Sequence, residues 1–177
     1  MTIQSELDVL YQSEGYAGTL ARPVPQACYE EGKLHVASGG DAVKPGWGLV
    51  YDQSEEKFKV PTTDAEELAV QGVCSYDMRA IPSTLAATPT NANSPQSVQF
   101  TDDALVRVCI EGVLFVRAGG NMEFGDALKF SRNDGKWDKI ATPTTIAAIP
   151  RLSVICLTKK AKDGDLIHAR ITLASIR

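Results

Sequence analysis

Apolar and polar residues alternate with a period of two along much of this chain, and the alternation is clearest in its second half. Val106, Val108 and Ile110 share one face of the run 105–110, because successive side chains on a strand point to opposite sides. Glu111-Gly112 then predicts a turn into Val113-Leu114-Phe115-Val116, which is apolar on both faces and is expected to be central in a sheet. In the run 166–173, Ile167, Ala169, Ile171 and Leu173 mark a buried face, while His168, Arg170 and Thr172 face out. Asn133-Asp134-Gly135 and Asp163-Gly164-Asp165 predict turns, since these residue types tolerate the positive φ that tight turns demand. In the first half, strands are predicted over 33–37, 47–52 and 57–60. Thr63 and Glu66 stand three apart as in a capping box, which predicts one short helix over 64–70.

The same order of short signals occurs twice. Gly39-Gly40, Leu49-Val50-Tyr51, Lys57-Phe58-Lys59, Pro61-Thr62-Thr63 and Gly72-Val73-Cys74 are followed later by Gly119-Gly120, Leu128-Lys129-Phe130, Lys136-Trp137-Asp138, Pro143-Thr144-Thr145 and Val154-Ile155-Cys156. The offsets drift only slightly (119 − 39 = 80, 128 − 49 = 79, 156 − 74 = 82), as loop insertions between shared strands would produce. A period this long exceeds the roughly 20 to 50 residues of solenoid units. It reads instead as an internal duplication of one β unit, with Ile146-Ala147-Ala148-Ile149 in the second copy where the first has its helical turn.

Short strands at regular spacing with one short helix predict an all-β fold, a jellyroll-like or barrel-like sandwich. Residues 1–27 carry Gly15, Gly18, Pro23 and Pro25 without sustained periodicity and predict an extended N-terminal arm. Residues 28–177 are then the β domain, in two related units, 28–79 and 102–177. Between them, 80–101 holds Pro82, Pro89 and Pro95 among Thr, Ser, Asn and Ala, which predicts an exposed connecting loop.

With 177 residues, 44% of them hydrophobic, the chain is long enough to bury a core without metals or disulfides. A net charge of −4 argues against nucleic acid as a partner, because phosphate recognition needs clustered Lys and Arg. No apolar run approaches the roughly 20 residues that cross a bilayer, and residues 1–9 lack a signal-peptide pattern. No membrane partner and residence in the cytosol of the producing cell are expected. Cys28, Cys74, Cys109 and Cys156 form no Cys-x-x-Cys pair, and three have apolar neighbours, as small hydrophobes would. His35 and His168 are the only histidines; a site of His168 with Asp165 and a cysteine would lack any nucleophile motif or oxyanion loop. Asp163-Gly164-Asp165 is not an EF-hand, and Gly119-Gly120 opens no phosphate-binding helix. The residues therefore predict neither enzyme activity, nor a metal site, nor a cofactor.

The run Gly15-Tyr16-Ala17-Gly18-Thr19-Leu20-Ala21-Arg22-Pro23, together with Lys162-Asp163-Gly164-Asp165-Leu166-Ile167-His168-Ala169-Arg170-Ile171, resembles tailed-bacteriophage head decoration proteins, also called structural cement proteins. The resemblance implies an all-β, non-enzymatic virion protein, assembled in the host cytoplasm and bound to the outer capsid surface. It implies the major capsid protein as partner, gripped across subunit joints in the expanded head, and a homo-oligomer, dimer or trimer. Tyr16 would fill a capsid pocket, Arg22 would pair with a carboxylate, and Pro23 and Pro25 would hold the arm extended. An alternative is a module that binds a small ligand or glycan, for which Trp47 and Trp137 are the candidate aromatic platforms.

Overall fold

In a computed structural model, the described residues are 17–18, 27–37, 40, 42–75, 99–140 and 152–173. They form eleven strands and one helix: β1 (Cys28–His35), β2 (Gly48–Asp52), β3 (Lys57–Lys59), α1 (Asp64–Leu68), β4 (Gly72–Ser75), β5 (Leu105–Arg117), β6 (Met122–Glu123), β7 (Leu128–Ser131), β8 (Lys136–Lys139), β9 (Leu152–Cys156), β10 (Lys160–Ala161) and β11 (Leu166–Leu173). The fold is all-β and barrel-like, as the alternation predicts.

Five strands close into a ring in the order β1-β3-β2-β4-β5, and β5 pairs back onto β1 from Cys28↔Glu111 to Lys33↔Leu105. Closure removes the free edges on which unpaired N–H and C=O groups would otherwise stand. One pairing in the ring is parallel, Leu34↔Phe58 between β1 and β3. The second half of the chain builds a counterpart from β5, β8, β7, β9 and β11. There β5 pairs β11, β11 pairs β9, single bridges at Ala127↔Ile155 and Ala118↔Trp137 tie in the β7–β8 hairpin, and the Ala118 bridge is again parallel.

The two rings agree hydrogen bond by hydrogen bond. Gly46 N–H donates to the Cys74 carbonyl at 2.7 Å, and Gly125 N–H donates to that of Cys156 at 2.9 Å. Cys74 N–H reaches the Trp47 carbonyl at 2.7 Å, and Cys156 N–H reaches that of Asp126 at 2.9 Å. Asp103 N–H donates to Leu34 and Gly164 N–H to Ala118, both at 2.8 Å. The cross-strand aromatic pair Tyr51↔Phe58 has its counterpart in Phe130↔Trp137, and the bridge Val43↔Phe100 in Met122↔Ala161. Left-handed backbone recurs at matching turns, at Gly46 (φ 88) and Gly125 (φ 91), and at Glu56 (φ 53) and Gly135 (φ 69). Within the hairpins the numbering offset is constant (125 − 46 = 130 − 51 = 137 − 58 = 79), and it is 61 along the closing strands (164 − 103 = 169 − 108 = 61).

The turn expected at Glu111-Gly112 does not form. β5 runs unbroken for 13 residues, because Gly112 changes the strand's partner rather than its direction. Glu111 makes the first ring's last rung with Cys28, and Gly112 the second ring's first rung with Ile171. The two rings thus share one strand, and pairing assigns Leu105 to Glu111 to the first ring, where the sequence had suggested that the second unit begins at 102. β1 also begins five residues before the expected start at Lys33.

Two apolar clusters fill the rings. Leu34, Leu49, Phe58, Val106 and Val108 centre one, and Leu114, Phe130, Trp137, Ile167 and Ile171 the other. Trp47 and Val60 touch both. Leu173, expected on the buried face of β11, is instead 59% exposed, since the ring interior ends at Ile171. α1 starts where expected: Thr63 is its N-cap and its hydroxyl accepts from Glu66 N–H at 3.2 Å. The Glu66 carboxylate reaches back to Thr62, accepting its N–H at 2.6 Å and its hydroxyl at 2.8 Å, one residue earlier than a reciprocal capping box requires. The helix stops at Leu68 rather than Val70 because Gln71 N–H is taken by the Leu49 carbonyl.

Candidate functional site: the joint between the rings

The segment Pro45-Gly46-Trp47-Gly48 leads into β2 and lies against the β7–β8 hairpin of the second ring. Trp137 Nε1–H donates to the Gly46 carbonyl at 2.9 Å, and the Trp47 and Phe130 rings are 6.1 Å apart. Gly135 sits so close that a Cβ there would lie 2.3 Å from the Trp47 indole, and a Cβ on Gly48 would lie 2.8 Å from Phe130. Glycine is required at 135 twice over, for its φ of 69° and for this approach.

Polar contacts brace the joint from one side. Arg132, at the tip of the second ring's hairpin, donates from its backbone N–H to Glu67 Oε1 at 3.0 Å, and its guanidinium meets Asp64 at 2.8 Å and Glu67 at 3.3 Å. Glu67 is buried, so this pairing is what lets a carboxylate sit there. Beside it, Lys59 bridges Asp52 at 2.9 Å and Glu66 at 3.3 Å. The Ser54 hydroxyl, then Lys59 and the Ser54 N–H, hold the Asp52 carboxyl well below the usual carboxylate range. Thr62 N–H does the same for Glu66, and the Asp52 contact raises Lys59. These groups, with His35, Trp47 and Asn133, rim an open hollow of about 640 Å³. A smaller hollow of about 110 Å³ lies on the joint's other side, between Lys44, Arg117 and Asp134.

Of the residues expected to contact a capsid, Tyr16, Arg22, Pro23 and Pro25 lie outside the described residues, as do 80–98 of the connecting segment and 143–149 of the second repeat. The adjoining Ala17-Gly18 is described, and it straddles the joint. Gly18 N–H donates to Phe115 of the second ring at 2.7 Å, while its carbonyl accepts from Ser75 Oγ of the first at 3.2 Å.

The two tryptophans do not form a matched binding platform. Trp137 is buried in the second core, and Trp47 packs between the cores. They are not counterparts either, since Trp47 corresponds to Asp126 and Trp137 to Phe58. The histidines stand in separate settings: His35 faces Asp102 at 3.4 Å, and His168 meets Phe115 edge-on at 4.7 Å. Asp165, considered as a partner for His168, instead accepts Lys162 N–H at 2.8 Å and closes its own turn. Cys74, Cys109 and Cys156 are buried; burial pushes the Cys109 thiol up to about 12 and raises the other two as well, which keeps them protonated. Among the described residues no three His, Cys, Asp or Glu side chains converge as metal ligands.

The fold and the joint define a class: two five-stranded rings fused through one shared strand. No known protein family and no curated protein matches the sequence. Among solved structures the chain is similar to the head fibre gp8.5 N base of bacteriophage phi29, at 15% identity and a TM-score of 0.42, over 82% of this chain and 94% of that one.

Proposed function

We propose that this protein is a structural component of a phage virion that binds the outer capsid surface across major capsid protein subunits and stabilises the expanded head. The observation that carries the reading is the fusion of two rings through β5, with Trp47, Arg132 and Gly18 bracing the joint. Such a block holds two gripping surfaces at a fixed separation. A clamp that touches two capsid subunits gains effective concentration for its second contact, and one that prefers the expanded lattice stabilises it by mass action. The resemblance of 15–23 and 162–171 to decoration proteins supports the same role, and puts Tyr16, Arg22, Pro23 and Pro25 forward as capsid contacts. The head fibre base is named for a phage head too, and nothing here is carried by that likeness.

The test is co-sedimentation of the purified chain with expanded, undecorated heads. Near-stoichiometric binding is expected, with a marked loss when residues 1–16 are removed and Gly18 is kept. Absence of binding by the full chain overturns the reading.

A further inference from the structure

The internal joint has two sides, and each has an unused counterpart elsewhere on the same chain. One side is Pro45-Gly46-Trp47-Gly48; at the offset of 79 its counterpart is Phe124-Gly125-Asp126-Ala127. The other side is the β7–β8 hairpin, whose Phe130 and Gly135 correspond to Tyr51 and Glu56 of the β2–β3 hairpin.

The first pair differs sharply in what covers it. A Cβ on Gly46 would strike Ala17 at 2.9 Å, whereas one on Gly125 would meet nothing within 4 Å. Pro45 is buried, and its counterpart Phe124 is 67% exposed. The second pair differs likewise: Phe130 is fully buried, while Tyr51 is 38% exposed. Of the four large apolar side chains exposed among the described residues, two are therefore the free halves of a joint the chain already makes once.

Charge also matches between the free halves. The β2–β3 turn is Gln53-Ser54-Glu55-Glu56, exposed throughout. The Phe124 segment adjoins a hollow of about 500 Å³ lined by Lys139, Lys160 and Lys162 beside Met122 and Glu123. In the internal joint the signs run the same way, with Asp134 of the turn facing Lys44 and Arg117 across the small hollow.

We infer that the surface around Phe124 receives the β2–β3 turn of a second copy of this chain, so that copies join head to tail by repeating between molecules the contact each makes within itself. Such a joint uses different surfaces on the two partners, and closes into a ring or runs on as a filament according to the rotation per step. Capsid binding is not needed for it.

The test uses size-exclusion chromatography with light scattering on the full chain at about 100 µM, where a micromolar contact is nearly saturated. The wild type is expected at a multiple of the chain mass. Phe124→Glu removes one half of the joint, and the double change Glu55→Lys with Glu56→Lys removes the other, so each variant is expected at monomer mass with an unchanged melting curve. An equimolar mixture should recover one dimer per pair of chains, because each variant keeps the half the other lacks. A monomeric wild type, variants that keep the wild-type mass, or a mixture that stays monomeric would each overturn the inference. If Phe124→Glu leaves the mass unchanged but stops co-sedimentation with heads, the face belongs to the capsid, and the inference fails while the proposed function stands.

Discussion

The two rings share a hydrogen-bond plan and differ in how their hairpins end. In the first, the β2–β3 turn carries Glu56 at φ 53 and points Glu55 and Glu56 to solvent. In the second, the β7–β8 turn carries Gly135 at φ 69 and is pressed onto Trp47. One backbone conformation thus serves an open end and a closed one. The side chain placed on it decides which, because a Cβ at 135 would occupy the space of the indole.

The largest expected effect tests that contrast directly. Gly135→Ala should destabilise the protein by about 3 kcal/mol in urea unfolding, from overpacking and left-handed strain together. Glu56→Gly, at the matching position, should stabilise it by up to about 1 kcal/mol by relieving the same strain. Equal responses at the two sites would mean that the second turn does not bear on Trp47.

Arg132 and its counterpart Gln53 (132 − 53 = 79) sharpen the comparison next. Arg132→Ala leaves the buried Glu67 without its cationic partner and should cost about 2 to 4 kcal/mol. Gln53→Ala, on the exposed turn, should stay within about 0.5 kcal/mol. A smaller loss, about 1 to 2 kcal/mol, is expected for Trp137→Phe, which keeps the aromatic packing but leaves the Gly46 carbonyl without its donor.

The smallest effects are in pH dependence, and they have opposite signs in the two hairpins. Asp52 has its folded pKa lowered by Ser54 and Lys59. Its contribution is present above the unfolded value of about 3.9 and is lost as pH falls further. Asp52→Asn should therefore lower the melting temperature at pH 7, with the difference shrinking toward pH 2. Asp138, in β8, has its pKa raised by burial and then by Asp134. Its charge opposes folding above the folded pKa and ceases to do so below the unfolded one, so Asp138→Asn should raise the melting temperature at pH 7 and have little effect near pH 3. Melting curves of both variants across this range check the two signs.

Much of the hairpin architecture was legible in the residues. Period-two alternation located β5 and β11, Asn133-Asp134-Gly135 located a turn, and Thr63 located a helix start, because each depends on neighbours within a few positions. The start of β1 was not legible: Cys28-Tyr29-Glu30-Glu31-Gly32 shows no apolar alternation, as only Leu34 of this strand is buried in the core. Gly112 was misread for a related reason, since a glycine that lets a strand change partners looks the same in sequence as one that turns the chain. The tryptophans suggested a ligand platform because their size and polarity suit one, and nothing local reveals that a second ring covers them. For the capsid contacts named from the arm, the described structure reaches only Ala17-Gly18, which braces the joint.

Local chemistry, then, set the strands, turns and helix cap, along with the two sets of residues that can each close a ring. Which strand lies beside which, the parallel rungs at Leu34 and Ala118, and the burial of one joint with exposure of its counterpart at Phe124 and Tyr51 all depend on residues 24 to 91 positions apart meeting in space. Backbone preference and alternation act over a handful of residues. The pairing that fuses the rings is decided by the packing of whole strands, and so becomes visible only in the folded chain.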